Sequence, residues 1–188
     1  TEEVYNKPDF EAAKYVCSPP LRPQADQDAL WQALENGEID ILSTDHCSFH
    51  FKGQKEMGRD DFTKIPNGMP GIEHRPTVMY TAVVASGRIS ASDLCRMLAE
   101  NPAKMFGVWA RKGSLDIGKD ADIVIYDPKA DSTISAQHQR QNCDYTPFEG
   151  FRTAGSVRDV FLRGIHAVKN GQLAQTGCGQ YIVRDKMR

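Results

Sequence analysis

The feature that most constrains this chain is an order of elements near its start: an apolar run, a proline-stopped turn, an amphipathic helix and a second apolar run. Residues 14–17, KYVC, are strand-like and halt at SPPLRP, where Pro19 and Pro20 forbid both helix and central strand. Residues 25–36, ADQDALWQALEN, have helical spacing, with Ala29, Leu30, Ala33 and Leu34 on one face. Asp26 can cap the start of this helix and Gly37 its end. IDILST, at 39–44, then reads as a strand through Ile39, Ile41 and Leu42. Strand, helix, strand is a βαβ unit, and its crossover predicts parallel pairing.

Residues 48–71 read as one long loop with four glycines and two prolines, and a loop of that length inside a compact domain is as a rule functional. The spacing predicts a helix over 72–86 ended by Gly87. It predicts another over 90–107, capped by Ser90 or Ser92 and broken in two by Pro102. From Lys112 the texture changes to turn glycines, a strand at ADIVIYD (121–127) and a hairpin over 155–171 that turns at Gly164. The chain thus reads as α/β over 1–111 and as a β-rich unit over 112–188, without internal repeats.

A length of 188 residues allows one sizeable core, or one core with a small appended unit. A net charge of -2 gives no electrostatic basis for binding nucleic acid or an anionic membrane. No apolar run reaches the roughly 18 residues that a membrane span needs. No charged-then-apolar leader opens the sequence and its first residue is Thr1, so the expectation is a chain without signal peptide whose start has been processed or cut. The five cysteines are odd in number, widely spaced and without CxxC. That argues against a disulfide framework and for a reducing cytoplasm. Cys95, inside an apolar helical pattern, is expected to pack.

Chemistry in parallel α/β folds gathers at the carboxyl ends of strands. Asp45 stands there after IDILST, where a carboxylate can bind a metal and carry a proton, or simply cap the next turn. His46, Cys47 and His50 come next with H-C-x-x-H spacing, which does not match the paired ligands of structural zinc sites. His46 is expected to pack or hydrogen-bond and His50 to lie in the loop. His74 falls in the following helix, His138 and His166 in the β-rich part. Ser18 stands just past the first strand end and either presents groups to a ligand or belongs to a rigid turn. Asn67-Gly68 favours positive φ, which can aim backbone groups inward or merely make a turn. Ser18, Asp45 and Asn67 can share one rim of a sheet.

The segments KYVCSPPLR, STDHCSF, DDFTKIPNGMPGIEHR, ENPAKMFG, KGSLDIGKDADIVIYDP and DYTPFEG occur in the order found in dihydropyrimidinases and hydantoinases, and the chain resembles that branch of the cyclic amidohydrolases along its whole length. STDHCSF with IPNG is specific to the branch, whereas GKDADIVIYDP is of a type shared by amidohydrolases more widely. The resemblance implies the C-terminal part of a (β/α)8 TIM-type barrel followed by part of a small β-sandwich. It implies hydrolytic opening of a cyclic amide or imide, a small-molecule substrate, and a cytoplasmic homo-oligomer, tetramer or dimer. The implied cofactors are two divalent metal ions, with zinc the expected identity, bridged by water or hydroxide and by a carboxylated lysine. Asp45 corresponds to the aspartate after the last barrel strand, a metal ligand and proton carrier. Ser18 and Asn67 match positions whose backbone groups hold the ring amide.

The family's HxH, its lysine strand and its two further histidines have no counterpart here. A complete barrel takes about 250 residues, so the resemblance places this chain over roughly the C-terminal two-fifths of such an enzyme. The non-catalytic alternative is a scaffold of the collapsin-response mediator type, but those relatives lack the carboxylate that Asp45 provides. Allantoinases and dihydroorotases are the alternative enzymes, and STDHCSF and IPNG fit them less well.

Overall fold

The structure, a computed structural model, describes residues 2–184. The chain divides into two compact units, each discontinuous in sequence. One comprises the chain up to Glu38, Ser43–Arg75 and Thr133–Arg152. The other comprises Ile39–Leu42, Pro76–Ser132 and the chain from Thr153 on.

In the first unit, α1 spans Gln24–Glu35. Its N-cap is Pro23, with no side-chain cap; Asp26 lies inside the first turn instead, where its charge complements the helix N-terminus. The expected C-terminal stop is present. Gly37 has φ 75°, its N–H bonds the Leu34 carbonyl at 3.1 Å, and the Glu38 N–H bonds the Ala33 carbonyl at 2.9 Å, the paired bonds of a glycine-ended helix. Of the expected apolar face only Leu34 is buried, and Leu30 is 58% exposed. The predicted loop over 48–71 contains two short 3₁₀ turns, Lys55–Gly58 and Phe62–Lys64. Asp144 orders its start by accepting the N–H groups of Phe51 and Lys52 at 2.6 and 2.9 Å.

The predicted parallel pair of strands is not formed among the described residues. Lys14 and Tyr15 close a 3₁₀ helix, Glu11–Tyr15, and only then does the backbone extend at Val16. Ile39–Thr44 belongs to no ladder. Some of the backbone groups that such a ladder would use are bonded elsewhere. In the first unit the Val16 carbonyl accepts the Gly68 N–H. In the second, the Leu42 N–H donates to the Met97 carbonyl and the Asp40 carbonyl accepts the Asn101 amide.

The second unit begins with the helical residues after Arg75. Helix α2, Arg75–Met79, continues as a π-helical stretch, Tyr80–Ala85, and ends at Gly87 with φ 78°. It starts three residues later than the spacing predicts because Pro76 has no N–H and is tolerated only in a first turn. Helix α3, Ala91–Cys95, opens with Ser90 and Asp93 in a reciprocal capping box, so Ser90 is the cap and Ser92 is not. Pro102 does not break the helical run. The chain passes through a π-helical turn, Arg96–Glu100, directly into α4, Asn101–Met105. The widened turn just before Pro102 makes room where its ring would otherwise press on the preceding turn. Leu94 and Met97 face inward, so Cys95, one step round the helix, is exposed rather than packed.

The β-rich part has β1 Ile123–Asp127, β2 Ser132–Thr133, β3 Arg152–Thr153, β4 Ser156–Leu162, β5 Ile165–Lys169 and β6 Gln172–Leu173. Strands β1, β4, β5 and β6 form one antiparallel sheet in that order, and β2 pairs with β3. The predicted hairpin is present, with Leu162 opposite Ile165 and Arg163-Gly164 between them at φ 48° and 79°. A second two-residue turn, Asn170-Gly171 at φ 49° and 71°, adds β6, a two-residue strand too short to show an apolar alternation. Both are type I′ geometries, whose twist matches the strands. Within this unit the rings of Tyr80 and Tyr126 meet at 4.2 Å, and the Tyr126 hydroxyl donates to the Ala154 carbonyl at 2.8 Å. Burial pushes the Tyr126 phenol up to about 12.

Candidate active-site rim

Three segments of the first unit lie side by side through backbone bonds. The Gly68 N–H donates to the Val16 carbonyl at 3.0 Å, so the segment leading to Ser18 lies against the one carrying Asn67. His46 and Met69 form an isolated parallel bridge, and the Cys47 N–H donates to the Met69 carbonyl at 3.0 Å. Asp45 is therefore one residue from a bridge to the segment that carries Asn67. The structure brings Ser18, Asp45 and Asn67 onto neighbouring segments, and all three are exposed.

Each of the three has groups left over. Asp45 has φ 44°, a left-handed conformation that Asp tolerates better than most residues. Its carbonyl meets the Cys47 thiol at 3.5 Å, and among the described residues its carboxylate takes no hydrogen bond or ion pair. The backbone N–H and C=O of Ser18 and of Asn67 likewise have no protein partner among the described residues. The Ser18–Pro19 peptide is cis.

The neighbouring histidines are engaged elsewhere. His46 Nδ1 accepts the N–H groups of Gly71 and Ile72 at 3.0 and 3.3 Å, which leaves the proton of its neutral ring on Nε2. His50 lies in the loop, 3.8 Å from the Asp144 carboxylate. Buried His74 faces Gln139 at 3.3 Å and meets the Phe148 ring edge-on. His166 belongs to the Asp159 cluster of the second unit. Among the described residues no three His, Cys, Asp or Glu side chains gather to hold a metal. Asp45 suits a hard or borderline cation as one ligand of a larger set.

Sequence reasoning missed Lys55. It is 0% exposed, and its ammonium donates to the carbonyls of Val16 at 2.9 Å and Pro66 at 2.6 Å. Burial pushes its pKa down to about 8, while the neighbouring Cys17 and Cys47 act the other way. A lysine in a polar loop carries no signal of burial, because what buries it is the meeting of two segments about forty residues apart in sequence.

Comparison with known proteins gives this geometry its context. Residues 11–166 match the model of the Amidohydrolase family. The chain belongs to the amidohydrolase family. It is 46% identical over 186 residues to the D-hydantoinase of Geobacillus stearothermophilus, covering 98% of this chain and 40% of that protein. It is 47% identical over 179 residues to the D-hydantoinase of Streptomyces coelicolor, covering 95% of this chain and 38% of that protein. The crystal structure of dihydropyrimidinase from Brevibacillus agri superposes with a TM-score of 0.95 at 46% identity, over 100% of this chain and 41% of that one. This amidohydrolase chain therefore spans about two-fifths of the length of the relatives it matches.

Proposed function

We propose that this chain supplies the C-terminal portion of a metal-dependent cyclic amide hydrolase that opens a dihydropyrimidine or hydantoin to an N-carbamoyl amino acid. In this reading residues 1–111 provide the last strands and helices of a (β/α)8 barrel, and residues 112–188 part of a small β-sandwich and the tail. The complete protein would work in the cytoplasm as a homo-oligomer. The observation that carries the reading is the rim: an exposed carboxylate without a protein partner at Asp45, and next to it unpartnered amide groups at Ser18 and Asn67.

A cyclic amide presents an N–H and a C=O to its surroundings. Backbone C=O and N–H groups on Ser18 and Asn67 complement that pair and would fix the ring relative to Asp45. The chemical difficulty is that water is a weak nucleophile and amide nitrogen a poor leaving group at neutral pH. Divalent metal ions, two and of zinc type in this reading, would polarise the ring carbonyl and make water nucleophilic at neutral pH when held partly by Asp45. Asp45 would take the proton of the attacking water and hand it to the departing ring nitrogen, so one carboxylate serves as base and then as acid. Its lack of an internal partner would leave one carboxylate oxygen for a metal and the other for that exchange.

The test is turnover by the full-length hydrolase that carries this chain. Dihydrouracil and hydantoin are offered separately and the N-carbamoyl products identified by mass spectrometry, before and after treatment with a chelator. Ring opening that the chelator abolishes and added zinc restores is the expected result. Failure to open either ring, with the protein folded and metal-loaded, would sink the reading.

A further inference from the structure

We propose that Lys55 is a positioning residue of the substrate-holding rim: its buried ammonium, by holding the carbonyls of Val16 and Pro66 together, aims the N–H and C=O of Asn67 at the ring amide. The inference rests on the reading of the rim given above.

Peptide planarity dictates the geometry. The Pro66 carbonyl shares a plane with the Asn67 N–H, and in a trans peptide the two point in opposite directions. The Asn67 carbonyl likewise shares a plane with the Gly68 N–H. Lys55 binds the first of these planes through the Pro66 carbonyl at 2.6 Å. The Val16 carbonyl binds the second through the Gly68 N–H at 3.0 Å. Lys55 also donates to that same Val16 carbonyl at 2.9 Å, so one ammonium closes both clamps. With the Pro66 C=O and the Gly68 N–H both turned inward, the Asn67 N–H and C=O both turn away from the lysine. Neither has a protein partner among the described residues. The pair is one donor and one acceptor, the pattern that an amide of a small ring requires. Lys55 is 0% exposed, so it touches no substrate; it acts through the loop.

A neutral side chain of similar length should release the Pro66 plane while still filling the space. Lys55→Met is made in the full-length hydrolase, and KM, kcat and metal content are measured against the unmodified enzyme. An interaction that holds the ring equally in ground and transition states appears in KM. The expected result is a KM for dihydrouracil or hydantoin raised about 10-fold or more, with kcat within about 3-fold and metal content unchanged. Loss of thermal stability alone, at unchanged KM, is what a purely structural lysine would give, and it overturns the inference. A fall in kcat at unchanged KM overturns it too. If Lys55→Met does not fold, a crystal structure of the unmodified enzyme with a non-hydrolysable cyclic amide decides. Ring amide atoms on the Asn67 N–H and C=O support the inference, and a ring held by other groups refutes it. An unmodified enzyme that opens no ring overturns the functional reading and this inference together, whereas an active one whose variant keeps its KM overturns only the inference.

Discussion

Gly68 lies directly against Cys47: a β-carbon on Gly68 would stand 2.4 Å from both Cβ and Sγ of Cys47, and Gly68 has φ 128°. Both facts exclude a side chain there. Gly68→Val in the full-length hydrolase should therefore lose about 2 kcal/mol or more of stability, the scale of forcing a β-branched residue into a left-handed region and overfilling a packed contact. It should also lower kcat/KM for cyclic amides. Asn67→Ala, at an exposed residue argued to work through its backbone, should keep kcat/KM within about 3-fold, since no backbone group is lost. The two variants are compared by thermal unfolding and steady-state kinetics. Greater damage to kcat/KM from Asn67→Ala would show that the asparagine side chain is the contact.

Asp45 is expected to matter for chemistry more than for folding, because its carboxylate is exposed and takes no protein partner among the described residues. Asp45→Ala should reduce kcat by at least about 10²-fold, the lower end for losing general acid–base help. The melting temperature should fall only modestly, by the cost of about 1 kcal/mol for holding Ala rather than Asp at the left-handed φ of 44°. Turnover of hydantoin at the parental rate by the metal-loaded variant would remove Asp45 from the mechanism.

The parts of the fold that are legible in the sequence are those set by local chemistry. The turn at Gly164 needs positive φ, which Arg163-Gly164 supplies at 48° and 79°. Gly37 ends α1 for the same reason, and Ser90 with Asp93 starts α3 through two side chains three residues apart. IDILST reads as a paired strand and is not one, because apolar periodicity reports burial, not the identity of a backbone partner. Here the partners include Met97 and Asn101, far along the chain. At the site, the segments bearing Ser18, Asp45 and Asn67 can be picked out because prolines, glycines and an abrupt polar stop mark chain reversals. Lys55 cannot, since its burial depends on the Val16 and Pro66 carbonyls meeting in space.

Asp159 gives the second unit a measurable acid response. It is buried in β4, and the Arg158 guanidinium, the Asn170 N–H and His166 hold its carboxyl down to about 2. A carboxylate whose folded pKa lies below its unfolded value of about 3.9 stabilises the fold at higher pH, and that contribution disappears as pH falls through the folded value. Asp159→Asn should therefore be destabilising at pH 7, and the difference from the parent should shrink between about pH 4 and pH 2. Thermal unfolding of both proteins across that range checks it. A difference that stays constant with pH would mean that the carboxylate's charge contributes nothing.

The chain by itself should be neither a metalloenzyme nor a well-behaved monomer. Of the metal ligands expected for the complete site it contributes Asp45 alone, and catalytic zinc sites take about three protein ligands. His46 cannot readily be recruited, because its Nδ1 is already bonded to the N–H groups of Gly71 and Ile72. His50 lies toward Asp144. Large apolar side chains stand in water, among them Leu30 at 58%, Ile72 at 55% and Phe62 at 80% exposure, and exposed apolar surface of this kind drives association. We predict that the 188-residue chain, purified alone, opens no cyclic amide, holds less than about one zinc per chain after dialysis, and associates as its concentration rises. Elemental analysis by mass spectrometry, a dihydropyrimidine-opening assay and light scattering test the three parts together. Tightly held stoichiometric metal, or turnover by the pure chain, would place the active site somewhere other than the rim at Asp45.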